Sequence, residues 1–561
     1  MKVHIPGKGS VTLTDADFMT EGGEGRIYAR GDTTYKIYTQ AAKMIPLAKI
    51  QELSVLDKPS IIRPQDVLLD SADRPVGFTM VRVRRALPLP RLFTSDFRRR
   101  QGIDAGSTLR LVQAMQEVIG FIHTQHCLIV DGNETNYLVP EQDFTQAYFI
   151  DVDSYQTPGF PATAIMPAIR DWHTWPFSML SDWFSFAIIA CQLFIGIHPY
   201  KGKHPGFKKY DLEGRMKAHV SIFNKEVVVP ASARDFSHIP TAYRDWFVRL
   251  FEQGQREPPP SQAGGLRPLT PAPRMIGAAD FTLTLLASFD EPIRSVKSYA
   301  GIRVVMTESV CHVGKTRYPM RALDMDVLFT PRSHTPCAVF VDQGRLCVVN
   351  LRSGQPLASA FLAERCWVVD NTLYTLQYDN FLEIRLSELG DRLLLAPGSA
   401  WKVLPQATVP LHNLLYQNML GRAHLAIPMR AGACQIIAVP ELDGSKIISG
   451  RWERGVAMLV VHTAGRYDRL TLRFNTEHTR YHARREENVD TASINFVTLD
   501  NGVCIDLSDD ALQLFFADPA NDTRKTILSP AVDSSLSLAK EGTQVLCYRG
   551  EQLYALSMKS T

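Results

Sequence analysis

The chain has no apolar run long enough to cross a bilayer, no CxxC pair, no marked excess of charge of either sign and no leader-like start. Each absence removes a class of function. The most apolar stretch, Trp183 to Ile197, is about fifteen residues long and is broken by Gln192, which suits a buried helix better than a membrane span. Nine cysteines are scattered through 561 residues, an odd number without metal-ligand spacing. A reduced, cytoplasmic setting fits that pattern better than a disulfide framework or a zinc site. With 61 basic and 58 acidic residues the net charge is +3, too weak a field to indicate nucleic acid as a partner. The opening MKVHIPGKGSVTLTD lacks the apolar core of a signal peptide. His462, His478 and His482 read as surface or core histidines rather than as a metal site.

What is present is concentrated between Asp131 and Asp153, in DGNETNYLVPEQDFTQAYFIDVD. Asp131 is followed by Asn136, then by a short apolar run, a polar insert and the strand-like AYFI that ends in Asp151. Phosphoryl transfer needs a carboxylate to orient the attacking hydroxyl and oxygen ligands for the metal that holds the phosphates. Asp131, Asn136 and Asp151 are residues of those types in that order. Loops rich in Asp and Asn are also ordinary turn chemistry, so the stretch gains weight only with what precedes it. There, Gly22, Gly23 and Gly25 separate two extended runs, and side-chain-free backbone of this kind can offer its N–H groups to phosphates. Lys36 follows on the strand-like TYKIY, within reach of α- and β-phosphates.

TEGGEGRIY, YKIY, DGNETN and FIDVDS resemble, in order and separation, the glycine-rich loop, strand lysine, catalytic loop and metal-binding strand of protein kinases. The likeness is stronger to the divergent bacterial serine/threonine kinases with GDxNxxN and IDxDS motifs. The resemblance implies ATP and Mg²⁺, with Mn²⁺ as a substitute, and an α+β bilobal domain over about residues 1–260, its lobes dividing near residue 83. It implies Asp131, Lys36 and Asn136 as catalytic residues and Asn136 and Asp151 as metal ligands. Gly22, Gly23, Gly25 and Lys36 fall to the nucleotide, with Glu52 as the ion-pair partner of Lys36 and Met80, Val81 and Val83 at the adenine edge. It also implies a protein substrate, and suggests a von Willebrand A protein and a metal-dependent phosphatase as associates. Five positions depart from the pattern. Thr20 replaces the first glycine, Ile129 and Val130 replace the His-Arg before the catalytic Asp, Asn133 replaces the catalytic-loop lysine, and Asp153 replaces the last glycine of D-F-G.

The intervening segments fill in a domain. Residues 40–57 carry helical spacing, although Pro46 leaves the start of that helix unsettled. IIRPQDVLLDSADRPVGFTMVRV reads as two strands and a turn. Seven arginines between Arg82 and Arg100 form either a solvated face or a docking patch for an acidic partner. Leu109, Val112, Met115, Ile119 and Ile122 mark a core helix, with Ser107 or Thr108 as its cap and a structural His123 near its end. SYQTPGFPATAIMPAIRDWHTWPFSM has the composition of an activation segment. By the resemblance, Asp182 reaches back to the catalytic-loop backbone and Arg256 lies where the last helix ends.

Glu257 to Arg274 is a Pro/Gly/Ser linker in composition, which places a boundary at about 261–278. Residues 279–561 repeat strand–turn–strand units, as in DNTLYTLQYDNFLEIRL and RGEQLYALSM. At about 40 to 45 residues per blade they predict an all-β domain, a β-propeller of six or seven blades that recruits a substrate or regulator. A pair of β-sandwiches is the alternative fold. The function expected is a serine/threonine protein kinase, against a pseudokinase scaffold and a kinase-fold enzyme acting on a small molecule.

Overall fold

In the first 81 residues, short strands build one antiparallel sheet whose central pair is mostly buried: β1 (Lys2–Ile5), β2 (Gly9–Thr12), β3 (Phe18–Glu21), β4 (Gly25–Arg30), β5 (Thr33–Tyr38), β6 (Val67–Leu69) and β7 (Pro75–Val81), in the order β2-β1-β6-β7-β5-β4-β3. The computed structural model describes residues 1–561 apart from 210, 262–280, 391, 430–432, 464, 509–510, 529–531, 534 and 559–561. Phe18, Tyr28, Tyr35, Ile37 and Leu68 pack together beneath the sheet with Val3 and Ile5. Between β5 and β6 the helical spacing yields less helix than expected. Pro46 sits at the N-cap with φ −60° and ψ 146°, so α1 (Leu47–Leu53) is short and Ala41–Lys43 forms only a 3-10 turn.

The second lobe holds α2 (Ser95–Gln101), α3 (Ala105–Thr124), α4 (Met179–Ile195), α5 (Leu212–Lys217) and α6 (Thr241–Phe251), with a small sheet of β8 (Ala86–Pro88), β9 (Tyr137–Pro140) and β10 (Tyr148–Phe149). The cap of α3 is Asp104 rather than Ser107 or Thr108, its Oδ1 accepting from Ser107 N at 2.6 Å. α4 is buried from Ser181 through Ile195 and meets the aromatic faces of Trp246, Phe247 and Phe251, which accounts for the apolar stretch in the sequence. Among the described residues no helix is long and apolar enough to cross a membrane.

Behind α4, His198 is buried, donating from Nε2 to the Ala168 carbonyl (2.8 Å) and accepting at Nδ1 from Tyr200 N (3.2 Å). Burial holds it neutral and pushes its pKa down to about 3. The unfolded chain, titrating near 6.5, therefore takes up the proton first. The contribution of His198 is complete above about pH 6.5 and is lost as pH falls toward 3, by at most about 1.4 kcal/mol per pH unit. Urea-unfolding midpoints are expected to fall between pH 7.5 and 5, with a flatter slope in His198→Gln.

Residues 257–260 run along the helical lobe, where Gln116 Nε2 donates to the Pro260 carbonyl at 3.1 Å and Trp246 Nε1 to that of Glu257 at 3.1 Å. The remainder of the expected linker, from 262, lies outside the described residues. Beyond it the described residues form seven four-stranded antiparallel sheets, with a 3-10 turn at Pro440–Leu442. Six of them span 295–319, 326–357, 365–402, 408–438, 446–486 and 496–528. The seventh joins Ser537–Glu541, Gln544–Arg549 and Gln552–Met558 to β11 (Phe281–Ser288), with Phe281 opposite Met558. The first strand thus completes the last sheet, a propeller-like closure that satisfies both end strands. Seven separate sheets also set aside the sandwich alternative.

Candidate functional site

The loop before β9 is fixed from α4. Asp182, 4% exposed, accepts from Ile129 N at 2.8 Å, from Val130 N at 2.9 Å, and pairs with His123 Nε2 at 3.0 Å. Val130 has φ +62°, a conformation that a β-branched residue rarely adopts. This places Asp131 at the cleft, where Oδ2 accepts from Asn133 Nδ2 (3.0 Å) and Oδ1 from Met166 N (2.9 Å). Asn136 donates from Nδ2 to the Asp131 carbonyl at 2.9 Å, and its own carbonyl accepts from Ile150 N at 3.0 Å. The loop and the strand leading to Asp151 are thereby tied together.

Asp151 has φ +60° and ψ 32°, and that turn projects its carboxylate toward the sheet. Lys36, 7% exposed on β5, has its Nζ 2.5 Å from Asp153 Oδ2, 3.4 Å from Asp151 Oδ1 and 3.8 Å from Glu24 Oε2. Burial opposes the ammonium, but Asp153, Asp151 and Tyr38 outweigh it and raise its pKa. Tyr38 Oη also donates to Asp153 Oδ2 at 2.8 Å. The protein packed around Asp151, followed by the charge of Asp153, raises its carboxyl above the ordinary aspartate range, against Lys36 and Lys446. The Asp151 side chain nonetheless keeps 44% of its surface open.

Lys36, Asp131, Asn136 and Asp151, drawn from separate parts of the sequence, converge here. Glu52 does not join them: its Oε2 accepts from Gly159 N at 3.0 Å. The short helix instead turns Lys49 inward, its Nζ donating to the Asp153 carbonyl at 2.8 Å. The partner of Lys36 is Asp153, a position noted in the sequence only for the glycine it lacks. Gly22, Gly23 and Gly25 form the β3–β4 turn, closed by Gly22 N to the Gly25 carbonyl at 2.9 Å. A Cβ on Gly25 would stand 2.5 Å from the Ile37 carbonyl oxygen, so glycine is required where the turn crosses β5, whereas Gly23 faces open space. Met80 and Val83 share an apolar cluster with Tyr38, Phe78 and Ile150, while Val81 is exposed outside it.

The residues present fit Mg²⁺ in donor chemistry. Donation from Asn136 Nδ2 leaves its Oδ1 as an acceptor, and Asp151 supplies an open carboxylate. Mg²⁺ is commonly held by one or two carboxylates completed by phosphate and water. Among the described residues no group of three His, Cys, Asp or Glu side chains is placed to hold a metal, so no all-protein cage is formed there.

The propeller-like region touches this loop directly. Tyr467 Oη donates to Glu134 Oε1 at 2.6 Å, His462 Nε2 lies 3.6 Å from the same oxygen, and Lys446 Nζ donates to Thr135 Oγ1 at 2.8 Å. His462 is therefore a buried interface residue, while His482 is exposed. No local signal marks these contacts, whose partners lie more than 300 residues apart in the chain.

The arginine run matches neither expectation as a whole. Arg98 is buried and donates to the carbonyls of Leu92, Leu193 and Asp104, and Arg91 is buried with its pKa lowered to about 10 by desolvation. Arg82 reaches Gln406 Oε1 at 2.5 Å and Arg100 reaches His412 Nδ1 at 2.8 Å, so part of the run joins the two regions. Downstream, Arg256 forks onto Asp171 at 2.6 and 2.7 Å, clamping the end of the 154–171 segment.

A scan against protein-family models finds no match, and a search of curated proteins finds none. Among solved structures the chain is similar to Kluyveromyces lactis Hsv2, at a TM-score of 0.32 and 13% identity, over 48% of this chain and 98% of that one. A likeness this slight carries no argument.

Proposed function

We propose that residues 1–260 form an ATP-dependent serine/threonine protein kinase domain and that the propeller-like region recruits its substrate or regulator. The observation that supports this reading best is the convergence of Lys36, Asp131, Asn136 and Asp151 on one cleft, with Asp182 holding the loop beneath them. In this reading Asp131 orients the substrate hydroxyl and accepts its proton, and Lys36 holds the α- and β-phosphates. Asn136 and Asp151 are the ligands for Mg²⁺, which when bound neutralises charge across the transferring phosphate.

A second reading, a nucleotide-binding scaffold without transfer, is favoured by one feature: both carboxylate oxygens of Asp131 are already engaged by Met166 N and Asn133 Nδ2. The two readings separate in one assay, transfer of γ-labelled phosphate from ATP to the chain itself and to a serine/threonine-rich acceptor protein. Label that depends on Mg²⁺ and disappears with EDTA is the expected result. Absence of label, with Mg-ATP still raising the melting temperature, favours the scaffold. Neither label nor stabilisation overturns the nucleotide site.

A further inference from the structure

Lys446 begins the strand Lys446–Glu453, His462 lies opposite it on Val456–Thr463, and Tyr467 lies opposite His462 on Arg466–Phe474. Direct cross-strand neighbours present their side chains on the same face, so the three residues form one row across three strands. That row abuts the catalytic loop. Tyr467 and His462 are buried with their rings 5.2 Å apart and engage Glu134, while Lys446 at the end of the row reaches Thr135, the residue immediately before Asn136.

Lys446 differs from the other two in what it leaves unused. It is exposed, its hydrogen-bond partner is a neutral hydroxyl, and among the described residues it makes no ion pair. Lys36, by contrast, is engaged by Asp153 and Asp151. Desolvation by the surrounding protein lowers the pKa of Lys446, and the charges of Asp151, Asp131 and Glu134 act against that shift. Asn133 stands two residues after Asp131, and its side chain is spent on the local turn, Oδ1 accepting from Thr135 N at 3.0 Å and Thr135 Oγ1 at 2.6 Å. The loop itself therefore brings no cation to the cleft.

We propose that Lys446, carried by the propeller-like region, binds the terminal phosphate of the nucleotide and supplies the positive charge that the loop lacks. The inference rests on the nucleotide reading of the cleft. Its logic is electrostatic: a terminal phosphate near Asp131 and Asp151 meets two carboxylates, and a second cation besides Lys36 offsets that repulsion. The Tyr467–Glu134 contact acts as the anchor that keeps the row on the loop.

The test is calorimetric titration of the full chain with Mg-ATP and separately with Mg-ADP, for the wild type, Lys446→Met and Tyr467→Phe. Lys446→Met is expected to weaken Mg-ATP about tenfold and to leave Mg-ADP within about twofold, because only ATP carries the phosphate in question. A purely structural role for Lys446 predicts equal changes for both nucleotides. Tyr467→Phe provides the pattern of a loosened interface. If Lys446→Met changes neither nucleotide, or both alike, the assignment of Lys446 is overturned while the nucleotide site stands. If the wild type binds neither nucleotide, the site and the assignment fall together.

Discussion

Asp131→Asn is expected to slow phosphoryl transfer by about 10²- to 10⁴-fold, the range associated with loss of a positioned general base, while Mg-ATP still binds. The substitution is nearly isosteric, and the main chain at 131 stays anchored by Asp131 N to the Ile129 carbonyl (2.8 Å) and by Asn136 Nδ2 to its own carbonyl (2.9 Å). What is lost is an oxygen that can take the hydroxyl proton. Asp151→Asn should differ in kind. Asp151 faces Lys36 at 3.4 Å and keeps an open carboxylate edge, so losing its charge should raise the Mg²⁺ concentration needed for half-maximal rate as well as lowering the rate. Single-turnover rates measured across a Mg²⁺ titration separate the two. A wild-type rate in Asp131→Asn would remove the proton-accepting role from this residue, and an unchanged Mg²⁺ requirement in Asp151→Asn would remove the metal role from that one.

The parts of the site that could be read from sequence are those whose geometry is local. Asp131 and Asn136 lie on one turn, and Asp151 stands two residues after the strand that pairs back onto β9, so spacing alone places them together. The repeating strand–turn units behaved likewise, because each four-stranded sheet is closed mainly by neighbours in sequence. What spacing could not supply is the facing of elements that meet across the fold. Glu52 lies at a reasonable chain distance from Lys36, but Pro46 shortens the helix and its inward face carries Lys49. Asp153 becomes the partner of Lys36 because a left-handed turn at Asp151 swings the next residues under the sheet. The arginine run, read as a surface by its charge, is partly buried because carbonyls at the helix ends accept from it. Arg98 and, from far along the chain, Arg234 share that role, and no composition rule distinguishes such arginines from solvated ones. Lys446 is the extreme case, since its relation to Thr135 exists only once the two regions have docked.

Asp182→Ala is expected to destabilise the helical lobe by about 3–5 kcal/mol, the cost typical of removing one partner from a buried charged network. The carboxylate satisfies three groups at once: the N–H groups of Ile129 and Val130, and the ring of His123. Alanine leaves two backbone donors without a partner in a site closed to water, at about 1–3 kcal/mol each. It also removes what holds Val130 at φ +62°, a strained geometry that persists only when its surroundings enforce it. Asp182→Asn should fall between wild type and alanine, because the amide keeps one acceptor but turns an NH₂ toward a group that also donates. Urea unfolding followed by tryptophan fluorescence reads the order, since Trp183 packs on His123 with ring centroids 5.0 Å apart. Equal stability of all three proteins would mean that the loop is held by its own turns rather than from α4. If the order holds, Asp182→Asn should also lose transfer out of proportion to its stability, because Asp131 follows Val130 directly and inherits any shift in that backbone. Stability and reactivity would then share one cause, a carboxylate beneath the loop that fixes the direction in which the carboxylate above it points.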